Sequence, residues 1–117
     1  MAERSVVASD PSSLTKFYVW TGLLNGDTGA PIQVLDFGDM TVTVEGTFGA
    51  GGTIKLRGSN DGTNYYDLTD PQGNAISKSA AGIEVIVEAP VYVRPEVTAG
   101  DGETLLQCRI MARKGSR

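Results

Sequence analysis

Apolar and polar side chains alternate along this chain in short runs, and no stretch of ten residues keeps a helical period. The clearest run sets Met40, Val42 and Val44 against Thr41, Thr43 and Glu45, and Phe48 continues the apolar row. A period of two with a threonine-rich polar side is that of a strand with one wet face. Residues 53–70 carry the strongest local signal. Ile54 and Leu56 alternate with Lys55 and Arg57, then Ser59-Asn60-Asp61-Gly62-Thr63-Asn64 gathers turn formers. Residues 65–68 return as a second strand, and Asp70-Pro71-Gln72-Gly73-Asn74 closes it with another turn. This predicts a β-hairpin.

Further strands are predicted on either side. In residues 14–24, Phe17, Val19 and Thr21 share one face while Tyr18, Trp20 and Gly22 share the other. Both faces carry large side chains, so either both are covered or one is an interface. Residues 25–31 read as a loop, 32–35 as a short strand and 36–39 as a turn. Gly49-Ala50-Gly51-Gly52 reads as a hairpin turn, which makes 40–48, 53–58 and 65–68 a meander. Residues 75–78 read as a short edge strand. In 82–89, Ile83, Val85 and Val87 are expected inside and Glu84 and Glu88 outside, with Ile86 between the glutamates. Residues 91–97 alternate Val91, Val93 and Val97 with Tyr92, Arg94 and Glu96, and Pro95 demotes this strand towards an edge or a bulge. In 104–113, Leu106, Cys108, Ile110 and Ala112 are expected inward and Gln107, Arg109 and Arg113 outward.

About eight strands with a turn every 8–12 residues predict an all-β, single-domain antiparallel β-sandwich. A jelly roll fits that number first, and an immunoglobulin-like sandwich second. Residues 1–13 lack a long alternation and read as an N-terminal arm, 14–113 as the sandwich, and 114–117 as a basic tail. At 117 residues the chain is one domain. Its mass of 12.3 kDa implies about 6,100 Å² of folded surface, enough burial for one core.

The chemistry is sparse. A net charge of -4 speaks against a nucleic-acid partner, although Arg109, Arg113, Lys114 and Arg117 make the C-terminal end basic. Cys108 is alone, so no internal disulfide is expected; within its alternating row it reads as a small buried hydrophobe. No run approaches the ~20 apolar residues of a membrane span, and the first residues lack a signal-peptide core. The expected compartment is a cytoplasm, or an assembly made in one. There is no histidine and no second cysteine, which removes the usual triads and zinc sets. Asp36-Phe37-Gly38 spells a kinase triplet without the rest of a kinase. Gly49-Ala50-Gly51-Gly52 lacks the following lysine and helix of a phosphate cradle. Asn60, Asp61, Asn64 and Asp67 offer oxygens of the kind calcium takes, but at turn spacing and not in an EF-hand pattern. No enzyme activity, metal or cofactor is expected. The sharpest feature is Tyr65-Tyr66 between Asn64 and Asp67: an aromatic, an amide and a carboxylate, the groups that line sugar sites. Alternation sends the two tyrosines to opposite faces.

Residues 44–74, VEGTFGAGGTIKLRGSNDGTNYYDLTDPQGN, together with 83–102, IEVIVEAPVYVRPEVTAGDG, resemble small cement or decoration proteins of tailed-bacteriophage capsids. That resemblance implies a β-sandwich on the outer surface of an icosahedral shell, made in the host cytoplasm and carried on the virion. Its partners would be the major capsid protein and itself, as a homodimer or homotrimer. The family has no catalytic motif to transfer. Candidate contact side chains are Tyr18, Trp20, Tyr65, Tyr66, Arg109 and Arg113. The string Gly58-Ser59-Asn60-Asp61-Gly62-Thr63 with its following aromatic also resembles phage tail and fibre modules, and a strand-turn-strand of discoidin-like sugar-binding domains. Two alternatives therefore stand beside capsid cement: a carbohydrate-binding virion module, and a tail or baseplate subunit.

Overall fold

The structure, a computed structural model, describes residues 3–12, 14–35 and 37–114, and all counts below are of these residues. It is all-β. The strands are β1 (Glu3–Arg4), β2 (Val6–Ser12), β3 (Thr15–Leu23), β4 (Thr28–Gly29), β5 (Ile32–Gln33) and β6 (Asp39–Thr47). They continue with β7 (Thr53–Ser59), β8 (Tyr66–Asp67), β9 (Ser77–Lys78), β10 (Gly82–Ile86), β11 (Tyr92–Ala99) and β12 (Leu105–Arg113).

Two sheets pack face to face. One runs β10-β6-β12-β3-β2; the other runs β1-β4-β11-β7-β8, with β5 also on β11 and β9 also on β7. Every pairing is antiparallel except β1 with β4. From β3 onward the chain passes between layers: β3 in the first sheet, β4 and β5 in the second, β6 back in the first. It then goes to β7–β9 in the second, β10 in the first, β11 in the second and β12 in the first. This is a β-sandwich with jelly-roll winding. Met40, Val42, Val44, Ile54, Leu56, Val93, Val97, Leu106, Cys108 and Ile110 fill the space between layers, each as its alternation predicts.

The predicted hairpin forms: Arg57 lies opposite Asp67 and Gly58 opposite Tyr66. The predicted meander does not. β6 belongs to one sheet and β7 to the other, so Phe48–Gly52 is a crossing between layers and not a hairpin turn. Positive φ at Gly49 (72°) and Gly51 (69°) makes that crossing tight. A Cβ on Gly52 would overlap the Phe48 carbonyl oxygen. The Ala50 N–H donates to Asp101 Oδ2 at 2.9 Å, so an internal carboxylate occupies the loop that resembled an anion cradle.

Pro95 is buried in a central strand and not at an edge. β11 has β7 on one side, while its other neighbours, β5 and β4, are two short pieces: Val93 lies opposite Ile32 and Glu96 opposite Thr28. Pro95 falls in the gap between them, where no ladder bond needs its missing N–H. The predicted loop at 25–31 supplies β4. It closes on Trp20, whose indole N–H donates to the Ala30 carbonyl at 2.9 Å. The stretch read as an N-terminal arm is paired into the sandwich: β2 along β3, with Val7 opposite Val19, and β1 along β4. Asp27, 4% exposed, accepts from Arg4 Nε at 2.7 Å and from the Leu24 N–H at 2.9 Å, anchoring that stretch.

The phase of β10 is the reverse of the expected one. Ile83, Val85 and Val87 are 64%, 46% and 41% exposed, and Ile86 is fully buried. Glu84 and Glu88 share the inward phase because at the rim they reach partners on the facing layer. Glu84 meets Lys78 Nζ at 3.2 Å, and Glu88 accepts from the Thr69 N–H and hydroxyl. A period of two fixes alternation but not which side faces in.

Candidate functional site

The two outer faces of the sandwich differ in kind. Over the seven-stranded sheet, charges form a continuous chain. Lys55 and Arg57 hold Asp67 at 3.4 and 2.9 Å, Arg57 reaches Glu96 at 3.2 Å, and Glu96 meets Arg94 at 3.3 Å. The Arg94 guanidinium lies 3.9 Å from the centre of the Tyr65 ring. Burial pushes the Tyr65 phenol up from its usual range, and the Arg94 charge opposes that. Burial also raises the Asp67 carboxyl, but hydrogen bonds from Arg57 and Lys55 more than offset it, so its pKa is lowered. Internally paired charges of this type leave a face wet and give little binding energy.

Over the five-stranded sheet the outer face mixes apolar side chains and threonines with Arg109, Arg113, Glu45 and Gln107. One cross-strand row reads Ile83, Thr43, Arg109, Val19, Val7, and the next reads Val85, Thr41, Met111, Phe17, Ser9. Val7 is 68% exposed, and among the described residues no element lies over these rows. Arg109 rests beside the Phe17 ring, 5.8 Å from its centre. A shallow depression of about 160 Å³ lies between Thr41, Val85, Met111 and Arg113. A wider one of about 440 Å³ lies between Thr21, Glu45, Leu105 and Gln107.

Between the sheets, at the rim where the β7–β8 hairpin meets residues 88–90, a cleft of about 620 Å³ opens. Gly58 makes its floor possible: a Cβ there would stand 2.6 Å from Pro90 Cγ and 2.8 Å from Leu68 Cδ2. Tyr66, 72% exposed, stands at the mouth with Asn60, Asn64, Asp67 and Glu88. The Asp61 carboxylate organises the loop. It accepts from the Thr63 and Asn64 N–H groups at 2.8 Å each, from the Ser59 hydroxyl at 2.8 Å and from Asn64 Nδ2 at 2.9 Å. These bonds, the Asn64 N–H first, hold its pKa far below the ordinary value of 3.8. The Asn60 side-chain oxygen accepts from the Val91 N–H at 3.1 Å and so ties the hairpin loop to the far wall.

The candidate contact residues therefore fall in four places. Tyr18 (6% exposed) and Trp20 (0%) turn into the core, because the other face of β3 is the outer one. Tyr65 lies on the charged face and Tyr66 at the cleft. Arg109 and Arg113 are exposed on the outer face of the five-stranded sheet. Of the predicted sugar set, Asn64 and Tyr66 come together at the cleft, while Tyr65 lies on the charged face and the Asp67 carboxylate turns there to Arg57 and Lys55. Sequence reasoning missed Val7, Ile83, Val85 and the wall residues Glu88–Pro90. Alternation alone places Ile83 and Val85 inward, and Val7 lies in a segment without a long alternation. Nothing local signals that 88–90 meet a hairpin twenty residues earlier. Among the described residues no group of three or more His, Cys, Asp or Glu side chains is placed to hold a metal. Cys108 is fully buried, and burial pushes its thiol up. Asp36 lies outside the described residues, as do 115–117 of the basic tail.

No protein-family model matches this chain, and no curated protein matches it. Among solved structures, a cupin protein of the RmlC-like type from Desulfovibrio desulfuricans aligns over 92% of this chain and 82% of its own, at 12% identity and a TM-score of 0.47. The SPBc2 prophage-derived protein YomS aligns over 89% of this chain and 98% of its own, at 13% identity and a TM-score of 0.63. This chain thus shares the fold of a prophage-derived protein over nearly the whole of both.

Proposed function

We propose that this chain is a structural protein of a phage particle, a cement or decoration protein that seats the outer face of its five-stranded sheet on a shell of major capsid protein. The observation that carries the reading is the contrast between the two outer faces. One sheet spends its charges on each other; the other exposes Val7, Ile83 and Val85 in rows that no described element covers. Five strands at about 4.8 Å spacing and six residues at about 3.4 Å give roughly 500 Å² in projection. A corrugated face has more accessible area than its projection, which brings it near the roughly 800 Å² per partner of a specific interface. Neutral threonines between the apolar residues cost little to desolvate compared with charges. Arg109 and Arg113 on the same face supply donors for carboxylates of the surface beneath. The sequence resemblance and the prophage origin of a protein of matching fold and length support the same reading.

Such a role needs no catalysis. Modest contacts repeated over a shell multiply into tight coverage, and binding only the assembled state stabilises it. The test adds purified protein to shells assembled without it. Saturable binding and a raised disruption temperature are expected. Val85→Asp and Ile83→Asp are each expected to weaken binding at least tenfold, about 1.4 kcal/mol. Absence of saturable binding, or full binding by both variants, overturns the proposal. Labelled protein found on tails and not on heads transfers it to the tail or baseplate. Light scattering on the same samples reads the oligomer.

A further inference from the structure

The cleft at the sandwich rim lies away from the proposed attachment face, and that role leaves it unused. Its walls come from distant parts of the chain: the β7–β8 loop on one side and residues 88–90 on the other. At about 620 Å³ it falls in the size range of small-ligand sites.

The electrostatics of its walls select a ligand type. Three carboxylates line it, yet each is already held by donors of the protein. Asp61 accepts from Ser59, Thr63 and Asn64; Asp67 from Arg57 and Lys55; Glu88 from Thr69. Arg57 and Lys55 balance the charge of Asp67, whereas Asp61 and Glu88 are held by neutral donors that orient their oxygens and leave their charge in place. With acidic walls, the cleft disfavours an anion. The amides add complementary groups. Asn60 spends its oxygen on the Val91 N–H, which turns its Nδ2 donor elsewhere; Asn64 spends Nδ2 on Asp61, which leaves its oxygen as an acceptor. Tyr66 stands at the mouth with most of its surface in water, from a two-residue strand whose partner at that register is a glycine. An exposed aromatic beside fixed donors and acceptors suits a ligand with one apolar C–H face and a rim of hydroxyls.

We propose that this cleft binds a neutral saccharide, with a pyranose ring against Tyr66 and its hydroxyls bonded to Asn60 and Asn64. A phage particle bearing it would hold a weak adhesion site at the side of the seated sandwich. The saccharide site does not depend on that seating.

The experiment titrates the isotope-labelled protein with methyl glucoside, methyl galactoside, methyl mannoside and N-acetylglucosamine, read by amide chemical shifts, alongside a glycan array. Saturable shifts confined to residues 58–68 and 88–91 are expected for at least one sugar. Tyr66→Ala should weaken that binding at least tenfold with its circular dichroism unchanged, and Tyr66→Phe should retain it. Val85→Asp should bind the sugar as the parent does, so loss of shell binding and loss of sugar binding are read separately. No saturable shift with any of these sugars and no array signal would overturn the proposal. So would full sugar binding by Tyr66→Ala, or saturation of the cleft by a lysine peptide instead.

Discussion

Asp61 shows how much one side chain can settle locally. Its two oxygens take four hydrogen bonds from residues 59–64 and fix the loop that forms one wall of the cleft. The sign of its pH effect follows. Its folded pKa is lowered, so the carboxylate stabilises the fold fully above the ordinary value of 3.8, and that contribution is lost as pH falls through the lower folded value. A carbon-detected titration should show Asp61 still ionised where ordinary aspartates are half protonated; a midpoint at the ordinary value would refute the bond set. Gly29 shows the opposite case, a residue required for what it lacks. A Cβ there would stand 2.6 Å from both the Pro95 ring and the Trp20 indole nitrogen. Gly29→Ala is expected to cost about 1–3 kcal/mol by overpacking, measured by urea unfolding. A neutral result would mean that the contact between β4 and Trp20 is looser than described.

At the scale of elements, β10 is the decisive strand. Its inward positions are Glu84 and Ile86, and its outward ones Ile83 and Val85. Ile86→Ala should therefore cost about 2–5 kcal/mol, while Val85→Ser should stay within about 0.5 kcal/mol as a surface change. The phase first read from the sequence demands the reverse order, so this pair of unfolding curves separates the two. The same strand is the open edge of its sheet. An inward glutamate held by Lys78 from the facing layer is one way in which edges are kept from pairing with other chains. The β7–β8 hairpin, by contrast, was readable outright, because turn chemistry and alternation agree within eighteen consecutive residues.

The molecule as a whole is closed over its interior. Its accessible surface of 6001 Å² matches the about 6,100 Å² expected from mass. Its radius of gyration of 13.3 Å matches the about 13.4 Å of a compact chain of this length. The outer face of the five-stranded sheet is therefore not a gap left by poor packing. One core shared by both sheets predicts a single cooperative unfolding transition. Cys108, at the centre of β12 and fully buried, provides the probe. Its thiol should be inert to a thiol reagent in the folded state and react only as the protein unfolds. Rapid labelling without unfolding would contradict the burial.

What the sequence determined by itself was everything carried by neighbours along the chain. The strands of alternating Met40–Val44 and Leu106–Ala112, the turn at Asp61-Gly62 and the sandwich class needed no tertiary information. The cleft was half legible: Asn64, Tyr66 and Asp67 sit within four residues, but their far wall at Glu88–Pro90 does not announce itself. Three matters were left to the tertiary structure: which strands share a sheet, which side of β10 faces in, and where Pro95 could be central. Each depends on groups brought together from distant positions: Lys78 for Glu84, the gap between β4 and β5 for Pro95, the opposing layer for Ile86. Alternation along one strand is symmetric between its two sides, and only the arrival of a second layer breaks that symmetry.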